Sequence, residues 1–280
     1  MRAPQANSAG SGVLLVVGDR FDDALMATVH RFYVEPPLAG GIVELPAQLA
    51  RQMAAVLRLE PGDPVVLFDG TGGEWQAEIA TLAKGRATAR LIRHVDLSRE
   101  APLRLTLCQA LIKADRFEWV LQKGTELGVA EFVPLLTRRV VGASGKARAG
   151  RVSAAQRETE RILKLERWRR IIIEAAEQSG RTAIPAVSHP QTLRTVLASG
   201  RATIFCWEAE GGSHPFRVAL AQALERSPDQ VQVLIGPEGG FTPQEVEAAL
   251  AAGALPASFG KRILRSETAG IAAAALALLA

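Results

Sequence analysis

The chain is poor in the residues that announce the commoner chemistries. It has two cysteines in 280 residues, Cys108 and Cys206. They form no CxxC and have no metal-ligand spacing, so they are expected as inert thiols in buried strands of a protein from a reducing compartment. The histidines His30, His94, His189 and His214 are scattered, each is expected on the surface or a loop, and no metal is assigned. No apolar run approaches the roughly 18–20 residues of a membrane span, the alanine-rich end being too short, so no membrane association is expected. No Gly-Lys-Ser/Thr follows a glycine loop and no G-x-G-x-x-G occurs, so the usual phosphate cradle and the Rossmann fingerprint are both missing. VLLVV at Val13–Val17 is shorter than a signal-peptide core and runs into Asp19, Asp22 and Asp23, which gives no targeting sequence; the reducing compartment implied by the two cysteines gives a cytoplasmic expectation.

What is present, 48% hydrophobic and 22% charged residues, suffices for one large core or two modest ones. Residues 1–25 look unlike the rest and are expected to be a disordered or non-native extension, with Met26 as the start. From residue 26 to 97 the pattern is β-rich: HRFYV, GGIVEL, DPVVLFDG, EWQAEIA and RATARLIRHV are short extended runs, with a hairpin turn at Asp69–Gly73. One helix, Pro46–Leu59, interrupts them with Leu49, Met53, Val56 and Leu57 on a common face. Such a unit reads as a small barrel. The polar DLSREAP marks a boundary at Leu97–Pro102. From residue 103 to 280 strands alternate with helices, which predicts an α/β domain with a mainly parallel sheet.

The segment VQVLIGPEGGFTPQE, Val231–Glu245, is the densest signal. A buried strand enters a glycine-rich turn, Thr242 caps the next helix, Pro243 suits its first turn, and Glu245 completes a capping box. A second junction, ASFGKRILRSETAGI at Ala257–Ile271, leads into the helix that ends the chain. Taken singly each is a tight strand-to-helix turn. Taken together, each with a glutamate and the second with Arg-x-Glu-Thr, they predict two walls of one ligand pocket at the carboxyl end of the sheet.

These residues resemble a known family. LIGPEGGFTPQE with FGKRILRSETA is similar to the signature of the SPOUT trefoil-knot methyltransferases, and within them of the family that methylates uridine N3 in small-subunit (16S) ribosomal RNA. KADRFEWVLQKGTELG at Lys113–Gly128, WRRIIIEAAEQSGRTAIP at Trp168–Pro185, RFYVEPP and LRLEPGDPVVLFDG extend the likeness over residues 26–280. The resemblance implies a PUA-like RNA-binding β-barrel at 26–97 and a knotted SPOUT methyltransferase domain at 103–280. It also implies S-adenosyl-L-methionine as cofactor, ribosomal RNA or the small ribosomal subunit as partner, and a homodimer in which both chains build the active sites. By the resemblance Leu234, Ile235, Gly236, Pro237, Glu238, Gly239 and Gly240, with Gly260, Ile263, Leu264, Arg265, Ser266, Thr268 and Ala269, bind the cofactor, and Glu208 lines a third side.

Methyl transfer to N3 needs the donor in line and the N3 proton removed, and alignment is the larger lever. Glu267 is the candidate base, and Arg265 the candidate to hold phosphate or to stabilise charge on the uracil carbonyls. The alternative is that the two pair with each other at a helix N-terminus. For RNA, Arg138–Arg181 holds twelve Lys and Arg against five Asp and Glu. Arg138, Arg139, Lys146, Arg148 and Arg151 are candidate phosphate contacts or a solvated face. Gln178 and Arg181 are expected at a flipped uracil and its phosphate, with Lys113, Arg116 and Glu126 on the same face. The tryptophans read as core or interface fillers. Two other readings remain at this level: a related 2′-O-ribose methyltransferase and a non-catalytic RNA-binding adaptor.

Overall fold

The computed structural model describes residues 29–35, 37–83, 85–139, 154–207 and 213–279. The expected N-terminal extension, Lys146, Arg148, Arg151 and Glu208 lie outside them. The chain divides into two units, one holding Ala39–Leu67 and Trp75–Val95, the other Tyr33–Leu38, Phe68–Glu74 and everything from Asp96 onward.

The first unit is built on a five-stranded sheet of β1 (Arg31–Tyr33), β2 (Gly41–Leu45), β3 (Pro64–Phe68), β4 (Glu74–Ala83) and β5 (Arg86–Val95), in the order β1-β3-β4-β5-β2. β3 with β4 and β2 with β5 are antiparallel. The single helix expected over Pro46–Leu59 is instead α1 (Ala47–Arg51) followed by a π-helical turn, Gln52–Leu57, closed by Arg58 in the left-handed conformation. The wider i→i+5 turn rotates the stripe. Leu49 and Met53 stay buried, but Val56, expected on the same face, is 71% exposed.

The second unit carries an eight-stranded sheet: β6 (Arg104–Ala110), β7 (Glu131–Leu136), β8 (Ala186–Val187), β9 (Gln191–Thr192), β10 (Thr203–Cys206), β11 (His214–Pro215), β12 (Gln230–Ile235) and β13 (Leu255–Ser258). The order is β11-β13-β10-β12-β6-β7-β8, with β9 also on β7, and its recorded pairings are parallel. Between them run α2 (Ala114–Leu127), α3 (Ala154–Ser179), α4 (Leu193–Leu197), α5 (Phe216–Arg226), α6 (Pro243–Ala251) and α7 (Ser266–Leu278). Because strand side chains alternate between faces, Leu105, Leu107, Val231, Val233 and Ile235 join one core with Phe117 of α2, Trp168 of α3, Phe216 of α5 and Ala273 of α7. Cys108 and Leu234 point the other way, into a core with Leu193 of α4 and Val246 of α6. Both faces are therefore covered, as a parallel sheet requires. Burial pushes the Cys108 thiol far up, Glu131 adding to the effect and Arg201 opposing it, so this cysteine is an unreactive apolar filler. Of the tryptophans, Trp168 is buried in the first core while Trp119 is half exposed. Among the described residues no helix is long and apolar enough to cross a membrane.

Arg181 corrects one expectation. It is 4% exposed, and its Nη1 donates to the carbonyls of Thr125 at 3.1 Å and Val129 at 2.8 Å. Its Nε and Nη2 bond the carboxylate of Glu100. A guanidinium so enclosed closes the end of α2 and cannot reach an RNA phosphate. Arg181→Met is expected to cost about 3–5 kcal/mol, since it strands buried carbonyls and a carboxylate. Chemical denaturation checks this, and a loss below about 1 kcal/mol would contradict the structural role.

Candidate active site

β12 lies inside the sheet, bonded to β10 on one side and β6 on the other, so the point at which it ends is fixed. After Ile235 the chain bends through residues 236–241. Gly240 donates its N–H to the Pro237 carbonyl at 2.8 Å with a φ of 66°, a conformation for which glycine pays no steric penalty. The bend ends at the expected capping box. Thr242 Oγ1 accepts from the Glu245 N–H at 3.3 Å, and Glu245 Oε2 accepts from the Thr242 N–H at 2.8 Å. The other oxygen of Glu245 accepts from the Arg138 N–H at 2.8 Å. Arg139 Nη1 donates to the carbonyls of Gly239 at 2.8 Å and Phe241 at 3.4 Å. Both side chains are exposed, but that of Arg139, expected on RNA, is engaged in holding the glycine turn.

The second bend leaves β13 and ends where α7 begins. Ser266, its first residue, donates its hydroxyl to the Gly236 carbonyl at 2.5 Å. Ser266 Oγ in turn accepts from Gln109 Nε2 of β6 at 2.8 Å. A second tie runs through Arg116 of α2, whose Nη1 lies 3.5 Å from Glu238 Oε1 and whose Nε lies 3.7 Å from Glu267 Oε1. Glu267 thus pairs with Arg116 and not with Arg265. Its other oxygen, Oε2, is buried and without a hydrogen-bond partner among the described residues.

The two bends enclose a cleft of about 480 Å³, within the roughly 300–1,000 Å³ of small-molecule sites. Ile235, Gly236, Pro237, Glu238, Gly239 and Gly240 line one wall; Ile263, Leu264, Arg265, Ser266 and Ala269 line the other. Three expected members do not line it. Leu234 is wholly buried in the core on the opposite face from Ile235, Gly260 is exposed on the outer part of the bend, and Thr268 is exposed on α7. Cys206, Trp207, Phe241, Ala257, Ser258 and Phe259 complete the lining and were not among the expected cofactor residues. Phe241, Ala257, Ser258 and Phe259 lie inside the two motifs and Trp207 directly follows β10, signals that the sequence carried; the pairing of β13 with β10 sets Ala257 beside Cys206.

The cleft has apolar walls, backbone polar groups at two bends, and two charged side chains in its lining, Glu238 and Arg265; Glu267 and Lys113 are not part of that lining. Arg265 is exposed and has no ion-pair partner among the described residues. Glu267 stands in the first turn of α7, where the helix dipole favours its carboxylate. Lys113 is exposed at the N-cap of α2, about one turn before Arg116. Gln178 is exposed in the last turn of α3 and is not part of the cleft lining. Among the described residues no three His, Cys, Asp or Glu converge on a metal position.

Comparison with known proteins agrees with this architecture. The model of the RNA methyltransferase domain matches residues 99–278, and that of the RNA methyltransferase PUA domain matches residues 53–92. Ribosomal RNA small subunit methyltransferase E of Synechocystis sp. is 37% identical over 245 residues, covering 86% of this chain and 74% of the relative. Among solved structures, one from Legionella pneumophila in complex with the cofactor SAM superposes with a TM-score of 0.76 at 32% identity, covering 90% of this chain and 96% of the other. The ribosomal RNA small subunit methyltransferase E of Neisseria gonorrhoeae bound to S-adenosyl methionine does so with a TM-score of 0.73 at 32% identity, covering 88% and 95%. A PUA-like unit followed by a mainly parallel α/β unit ending in two linked bends, and this degree of likeness, place the chain in the RNA methyltransferase family of the ribosomal RNA small subunit methyltransferase E type.

Proposed function

We propose that this protein transfers a methyl group from S-adenosyl-L-methionine to N3 of a uridine in small-subunit ribosomal RNA. The observation that carries the reading is the meeting of the two bends around one cleft, tied by the Ser266–Gly236 hydrogen bond. The residues fit the cofactor: Ile235, Ile263 and Leu264 offer apolar surface to an adenine, and residues 236–240 and 263–266 offer backbone donors and acceptors. When bound, S-adenosyl-L-methionine supplies an activated methyl group.

The remaining work falls to this chain's side chains. Holding two reactants in near-attack geometry can lower a barrier by about 7–11 kcal/mol, which suits bends braced by Arg139, the capping box and Ser266. The N3 proton needs an acceptor, and Glu267 has a buried oxygen without a partner while Arg116 engages the other. Arg265, exposed at the cleft edge, is suited to charge developing on uracil carbonyl oxygens. Lys113 and Arg138 remain exposed cations for RNA phosphates. We assign the activity to a homodimer working in the cytoplasm on the small ribosomal subunit or its RNA, a reading supported by the sequence resemblance alone.

Calorimetry is expected to show stoichiometric binding of S-adenosyl-L-methionine, and nucleoside mass mapping of treated RNA is expected to show methyl on the uracil base. Methyl on ribose would assign the protein to 2′-O chemistry, and no cofactor binding would leave an RNA-binding adaptor. Glu267→Gln is expected to slow single-turnover methylation by at least about 100-fold at saturating RNA. A wild-type rate would remove Glu267 as the base.

A further inference from the structure

Gln109 is the polar residue that the pattern of its strand does not ask for. On β6 it follows Leu105 and Leu107 on the same face, the one that packs into the larger core, and it is 1% exposed. A leucine would suit that position. The hydrogen bonds around Gln109 leave one consistent assignment. The Gly236 carbonyl can only accept, so at 2.5 Å the Ser266 hydroxyl must be its donor. Ser266 Oγ then has only its lone pairs for Gln109, so the amide must present its nitrogen at 2.8 Å. The amide oxygen is thereby turned away and is buried without a partner. It lies against Gly270 of α7, where a Cβ would collide with it. A buried acceptor left unsatisfied costs stability, so packing and stability both argue against this residue here.

We propose that Gln109 is a positioning residue of the cofactor cleft: by donating to Ser266 it fixes which way the Ser266 hydroxyl points, and so sets the spacing of the two bends. The inference rests on the reading of the cleft as a site for S-adenosyl-L-methionine. Gln109 does not line the cleft. It acts from beneath, through a side chain 157 positions away. The donor direction is what matters, because a group that accepted from Ser266 would take its hydrogen from the Gly236 carbonyl and release the first bend from α7.

The test measures S-adenosyl-L-methionine affinity by calorimetry on the full chain, as a ratio to the unaltered protein at each pH from about 5 to 9. Gln109→Leu is expected to weaken binding about five- to tenfold, the equivalent of one buried hydrogen bond, at every pH. Gln109→Glu is the discriminating variant. Its protonated carboxyl can donate to Ser266 Oγ as the amide does, whereas its ionised form can only accept. Its affinity is therefore expected near that of the unaltered protein at acid pH, falling as the carboxyl ionises, and a merely structural role would not produce that profile. Should Gln109→Glu fail to fold, Gln109→Leu is compared alone and in a Ser266→Ala background, where it is expected to add nothing further. Variants that bind as the unaltered protein does at every pH, or losses that add in the double variant, overturn the positioning role while leaving the cofactor reading intact. No binding by the unaltered chain removes the cofactor reading and the positioning role with it.

Discussion

The hydrogen bond from the Ser266 hydroxyl to the Gly236 carbonyl is the constraint on which the site depends. It joins two bends that arise thirty positions apart and that no continuous strand or helix connects directly. Each bend is separately anchored. The first hangs from β12, which is paired on both edges and cannot slide, and is closed by the Thr242–Glu245 box. The second ends where the small side chains of Ala269, Ala273 and Ala274 let α7 settle into the core. With both ends fixed, the hydroxyl needs only to set the gap. Arg116 repeats the tie at the rim, through longer and more exposed contacts to Glu238 and Glu267, which are weaker individually.

The parts legible in the sequence were those whose causes are local. The capping box needs only residues Thr242 to Glu245, the strand runs need only their alternation, and the glycines of the first bend mark a turn wherever they occur. The site's supports were illegible because they act at long range. Arg139 reaches Gly239 across 100 positions, and Gln109 reaches Ser266 across 157. Arg181 misled for the same reason. A basic residue at the end of a basic helix suggests a phosphate contact, and only the folded chain brings Glu100, a carbonyl in the last turn of α2 and one just beyond that turn to enclose it. Leu234 was a different case, since the alternation that buries Val233 and Ile235 on one face already sends Leu234 to the other.

Polar groups that stability alone would not retain gather around the cleft. Gln109 carries an unpaired amide oxygen, and Glu267 carries an unpaired carboxylate oxygen at a helix start. Both lie within the span of the Ser266 tie, and both belong to side chains of which one terminus is already engaged. Buried polar residues elsewhere in the parallel sheet, such as Thr106, Thr203 and Gln232, find hydrogen-bond partners, so these two orphans mark where the fold around the cleft departs from its own packing logic, as functional sites do.

Ile263 stands in the cleft wall 86% exposed, the most exposed of the large apolar side chains among the described residues. Such a side chain keeps ordered hydration until something flat covers it. Occupation of the cleft therefore removes apolar surface from water at this position of the second bend, and the thermodynamic signature is a negative heat-capacity change on association. The enthalpy of ligand capture consequently grows more favourable with warming, a temperature dependence to which this outward-held isoleucine contributes.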